Sequence, residues 1–212
     1  MKKLVVVLMG LFLISMGSIN SADAVAVLTI DDGVNAPIIV NDSDGDGFVS
    51  YAGSLGSFSL VFTGGVTKPL SGTATSPVLD LVGQLVSTAP GSLMINFMDY
   101  GFGPVPGSSL TSLVAGGFIS GGGSMTFETL INGTAITTIG PLSGGAFSDM
   151  ASGTITAASP FSIGLTANVI HTGSGTSSFD TGVVVPEPGT LAMVGFGLVG
   201  LYYVRRSKTF KI

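Results

Sequence analysis

Three carboxylates alternate with small residues in Asp42-Ser43-Asp44-Gly45-Asp46-Gly47, and this is the one interior stretch with ready chemical content. Acidic oxygens at the first, third and fifth positions of a turning loop can face a common centre. A glycine at the sixth allows the sharp turn that calcium-binding loops need. Phe48 brings a backbone carbonyl at the seventh position and Val49 an apolar residue at the eighth. The twelfth position, where a bidentate Glu would close the loop, is Gly53. A cation would then draw further oxygens from elsewhere, with Asp31 or Asp32 as candidates. The competing reading is a solvated acidic turn, because Asp and Gly populate turns for their backbone geometry alone. Calcium is thus a ligand to test at Asp42, Asp44 and Asp46, and no cofactor is required.

Other chemistry is thinly supplied. Cysteine is absent and His171 is the single histidine, which excludes thiolate metal clusters, a cysteine nucleophile and any site built on two imidazoles. No G-x-S-x-G occurs between residues 25 and 185, so a serine triad would have to be assembled across loops. Glycoside hydrolysis needs two carboxyls flanking the bond. Glu128 is the sole glutamate in that stretch, tryptophan is absent, and Tyr51 and Tyr100 are its only tyrosines. The chain is therefore not expected to be an enzyme. Of the 12 acidic residues, all but Asp23 and Glu187 lie between 25 and 185, where Lys68 alone is basic. Such a body repels phosphate backbones and anionic polymers, so nucleic acid is excluded as a partner and neutral glycans are not.

The elements that would carry these residues have a period of two. Phe58, Leu60 and Phe62 alternate with Ser57, Ser59 and Thr63; Leu93, Ile95 and Phe97 alternate with Met94 and Asn96. Phe161, Ile163, Leu165, Ala167 and Val169 share one face, with His171 in phase at the end. Asn132-Gly133, between the apolar runs 125–131 and 135–139, is a strong two-residue hairpin signal. Gly64-Gly65, Gly121 to Ser124 and Gly173 to Gly175 read as turns between strands. The expectation is an all-β body over residues 25–185, an antiparallel β-sandwich or jelly roll.

The two ends read as targeting signals. Residues 1–24 have Lys2 and Lys3, an apolar core from Leu4 to Ile14, and Ala22-Asp23-Ala24 as a small-x-small cleavage site. Removal of this signal peptide leaves Val25 first; a second site would cut after Ala26. Residues 189–204 form a charge-free apolar run, followed by a basic tail over 205–212 that contains Arg205, Arg206 and Lys208. The run is long enough, with tilt and snorkelling, for a transmembrane helix, and the basic cluster orients it with the tail inside and the body outside. Gly195, Gly197 and Gly200 match a dinucleotide-binding spacing, but a membrane run is the wrong context and helix packing explains them better.

Pro186-Glu187-Pro188 stands between body and span, where two prolines keep the chain extended. The ordered set of Pro-Glu-Pro, apolar run and Arg205-Arg206 over residues 186–212 resembles the PEP-CTERM sorting signal of Gram-negative bacteria. The resemblance implies an exosortase as processing partner, recognising Pro186, Glu187 and Pro188 and removing the tail. It also implies transient anchoring in the inner membrane with the body in the periplasm, then release to the cell surface or an exopolysaccharide matrix. The expected role is structural or adhesive, with a calcium- or neutral-glycan-binding module as the alternative and a secreted hydrolase as a third.

Overall fold

Alternation of apolar and polar residues gives each strand one face to bury, and the chain satisfies this with strands alone. The structure, a computed structural model, describes residues 25–103, 109–185 and 197–198. Its strands are β1 (Val27–Asp31), β2 (Ile38–Asn41), β3 (Phe48–Leu55), β4 (Phe58–Val66) and β5 (Val78–Ser87), then β6 (Gly91–Phe102), β7 (Ser109–Ile131), β8 (Thr134–Ile155), β9 (Phe161–His171) and β10 (Gly175–Val184). All pair antiparallel, in the order β2-β1-β6-β9-β7-β10-β5-β4-β3, with β8 on β7 outside this path.

The all-β expectation holds, but the layers are halves of one sheet rather than two separate sheets. β7 is responsible. Its residues 112–119 pair with β10, and its residues 124–131 pair with β9. Between these stretches Gly121 and Gly122 adopt φ of 70° and 71°, a region where side-chain-bearing residues are strained. The bend there turns the sheet over on itself, and β8 follows with its own left-handed glycines at 144 and 145. The result is sandwich-like and nearly closed. Rings meet across the interior, as with Phe127 of β7 and Phe179 of β10 at 5.6 Å between centroids. Leu28, Ile30, Leu81, Ile95, Phe97 and Leu165 fill the core around them.

The Asn132-Gly133 hairpin forms as expected, with both residues at positive φ and Ile131 paired with Thr134. Three expectations need correction. Gly121 to Ser124 is a bend within β7, not a turn between strands. Gly64-Gly65 lies inside β4, where the absent Cβ of Gly65 leaves room for the Phe97 ring. Phe62, expected to face inward, is 40% exposed while Thr63 is buried. A register shift between Leu60 and Phe62 inserts one residue and exchanges the two faces of the strand beyond it.

The signal peptide (residues 1–24), Pro186, Glu187 and Pro188, and Arg205, Arg206 and Lys208 lie outside the described residues, as does the run 189–204 apart from Gly197 and Leu198. Among the described residues no helix is long and apolar enough to cross a membrane.

Candidate functional site

The acidic loop joins β2 to β3, and the structure brings its carboxylates together. One oxygen from each of Asp42, Asp44 and Asp46 lies within 4.8 Å of the others. The loop also closes on itself. Asp42 Oδ1 accepts the Gly45 amide at 2.9 Å, its Oδ2 accepts the Gly47 amide at 2.9 Å, and Asp46 Oδ1 accepts the Phe48 amide at 2.8 Å. Both ends are tied to the body: Asp42 N donates to Ala26 O at 2.9 Å, and Thr67 N donates to Gly47 O at 2.8 Å.

Asp31 and Asp32 do not join this cluster through the bonds they make. Asp31 accepts the Gly33 amide, and Asp32 accepts the amides of Val34 and Asn35 together with the Asn35 side chain. The Asn35 backbone amide, then its side-chain amide, hold the Asp32 carboxyl below the usual carboxylate range. Both acids therefore serve the β1–β2 turn. Gly53 sits in β3 opposite Leu60 and supplies no carboxyl. Calcium takes about six to eight oxygens, so the residues present fit half of a calcium loop.

A second constellation was not anticipated from sequence. Lys68 follows β4 and Asp99 lies in β6; their relative exposures are 2% and 0%. Lys68 Nζ donates to Asp99 Oδ2 at 2.8 Å and to Tyr100 O at 2.6 Å, and it stands 4.5 Å from the centre of the Phe102 ring. Thr67 Oγ1 donates to the same Oδ2 at 2.9 Å. Oδ1 accepts the amides of Tyr100 at 2.7 Å and Val25 at 3.0 Å. A buried ion pair is tolerated only when its remaining hydrogen-bonding capacity is met, and here each carboxylate oxygen has two donors. Lys68 stands out in the sequence as the only cation between residues 25 and 185, but nothing in the local pattern names Asp99 as its partner.

His171 ends β9 as expected and is buried. Its Nε2 and Ser177 Oγ are 2.7 Å apart, and the Phe58 ring lies 6.2 Å from its own. Burial pushes the imidazole pKa down, which favours the neutral ring. Nδ1 has no partner among the described residues, so no carboxylate orients the ring as a general base would require. Asp80 of β5 is raised by its burial and then by the charge of Asp180 on the neighbouring β10.

At the C-terminal end of the body, β10 stops at Val184 and Val185 is still buried. Val185 N donates to Pro77 O at 2.9 Å, and Ser76 Oγ donates to Val185 O at 3.2 Å. Pro186 is the next residue. The family described as the PEP-CTERM protein-sorting motif matches residues 184–207. The chain carries a C-terminal sorting signal. Its C-terminal segment matches the PEP-CTERM sorting motif, which implies an exported protein.

No curated protein matches the chain. Among solved structures, a PA14 sugar-binding domain from an RTX adhesin is 10% identical with a TM-score of 0.29; the match covers 45% of this chain and 46% of that one. A PA14 domain of the antifreeze protein MpAFP is 12% identical with a TM-score of 0.26, covering 45% and 63%. A GH26-CBM35 β-(1,4)-mannanase of Podospora anserina is 17% identical with a TM-score of 0.27, covering 68% and 29%. The chain thus spans about half the length of the adhesin domain it matches.

Proposed function

We propose that this is a cell-surface or extracellular-matrix protein, processed by an exosortase and structural or adhesive in an exopolysaccharide layer. The observation that carries the reading is the sorting motif at residues 184–207, which begins where β10 ends. Val185 is tied to the body by its backbone, and the Pro-Glu-Pro tripeptide that follows in sequence lacks two backbone donors. That sequence suits a scissile linker, because its two prolines favour an extended backbone that a protease cleft can grip. A body whose one cation is buried in an ion pair presents a uniformly acidic surface, which favours neutral glycans as contacts, or anionic ones bridged by divalent ions.

The test replaces Pro186, Glu187 and Pro188 together with Ala in the producing cell and follows the protein's mass and fraction. The parent is expected to lose the C-terminal segment and to leave the membrane fraction, while the variant keeps its full mass and stays behind. Equal processing of the two overturns the proposal. A polysaccharide-degradation screen of the released protein is expected to show no turnover, in line with the non-enzymatic reading.

A further inference from the structure

We propose that Asp99 is the docking site for the α-ammonium group that signal-peptide removal creates at Val25. This rests on the export reading, since that reading supplies the cleavage after Ala24. The amide nitrogen of Val25 already lies 3.0 Å from Asp99 Oδ1. Hydrolysis of the Ala24–Val25 bond adds one water across it, leaving a carboxylate on the departing leader and an amine at Val25. That amine is protonated at neutral pH, its ordinary pKa being about 8. An uncharged amide donor to a fully buried carboxylate thereby becomes a charged one at the same atom.

The surroundings suit a cation. Oδ2 of Asp99 is committed to Lys68 and Thr67, whereas Oδ1 has only backbone donors. Val25 itself is 57% exposed, so water can reach the new group and its desolvation cost is small. Its neighbour Ala26 is buried and accepts the Asp42 amide through its carbonyl. The start of the mature chain is therefore tied to the loop that carries Asp42, Asp44 and Asp46. The acceptor is already ionised, so what cleavage adds is a charged donor and its Coulomb attraction to that carboxylate. The body consequently gains its tightest closure only after the leader has gone.

The experiment uses the full chain from Val25 to Ile212 in detergent, prepared with a free Val25 amine and with the same amine acetylated. The acetyl group restores the amide of the precursor, so the fit at Asp99 is kept and only the charge differs. Lys68 and Asp99 are untouched, and folding is not at stake. Acetylation is expected to lower the thermal midpoint by about 2–6 °C. Equal midpoints overturn the docking. N-terminal sequencing of the exported protein separates the two ideas: a chain that retains Met1 or begins at a residue other than Val25 overturns the leader cleavage on which the docking depends. A chain that begins at Val25 and melts lower when acetylated supports both.

Discussion

Aspartate does opposite work in two adjoining parts of this molecule. In the β2–β3 loop, Asp42, Asp44 and Asp46 are half-buried or exposed, and Asp42 and Asp46 shape the turn through amides three or fewer residues away, or five in the case of Gly47. At Asp99 the same side chain is sealed from water and joins segments far apart in sequence: the start of the body, the residues just after β4 and the C-terminal part of β6. The two regions touch through the bonds from Asp42 to Ala26 and from Thr67 to Gly47. Solvent decides the difference. In the loop each charge is hydrated and replaceable, whereas at Asp99 the fold must supply every partner, so any lost partner is felt in full.

Removing the cation is the strongest way to break this contrast. Lys68→Met leaves Asp99 buried without its side-chain counter-ion and is expected to cost about 3–5 kcal/mol in urea denaturation. The double variant Lys68→Met/Asp99→Asn is expected to recover most of that loss, because a neutral amide in the same place carries no unpaired charge. Were the double variant as unstable as the single, packing around Lys68 rather than charge would be responsible. Thr67→Val removes one of the four donors to Asp99 while keeping the shape, with an expected cost of about 1–2 kcal/mol. The same denaturation curves read it, and a neutral result would show that Oδ2 needs only Lys68.

His171 offers a pH-dependent control within the core. Its folded-state pKa is pushed below the ordinary value of about 6.5 by burial, so the unfolded chain takes up a proton first. Stability is expected to be full above that value and to fall as pH drops through it. His171→Gln should flatten the slope between pH 7 and 5.5, measured as thermal midpoint. A slope that survives the substitution assigns the effect elsewhere.

Sequence periodicity made the strands legible, since a half-buried strand writes its burial into every second residue. It also located the Asn132-Gly133 turn, because only residues tolerant of positive φ serve there. It failed where one residue changes the phase: the shift between Leu60 and Phe62 exposes Phe62 and buries Thr63. It failed again at Gly64-Gly65 and Gly121 to Ser124, since a glycine that makes room or bends a strand looks like one that ends it. The acidic loop was readable because its ligands are contiguous. The Lys68–Asp99 pair was not, being assembled from residues 31 apart in sequence by a strand order that no local pattern encodes.

Asp42→Ala probes the loop itself. It frees the amides of Gly45 and Gly47, which water can partly serve, and is expected to cost about 0.5–1.5 kcal/mol. A loss as large as that of Lys68→Met would mean that the loop, through Ala26 and Thr67, holds the Asp99 centre in place.

Calcium should produce the smallest effect of all. Asp42, Asp44 and Asp46 converge, but Gly53 cannot add the two oxygens of a closing Glu, and Asp31 and Asp32 are engaged in their own turn. A cation held by so few protein oxygens keeps most of its water and gains little over solution. Binding stabilises a fold only as the ligand concentration exceeds its dissociation constant. Millimolar calcium is therefore expected to move the thermal midpoint by less than about 1 °C, equally in the parent and in Asp44→Ala. A shift of several degrees that Asp44→Ala abolishes would reverse the comparison, making the exposed carboxylates, and not the buried one, the ion-binding centre of the molecule.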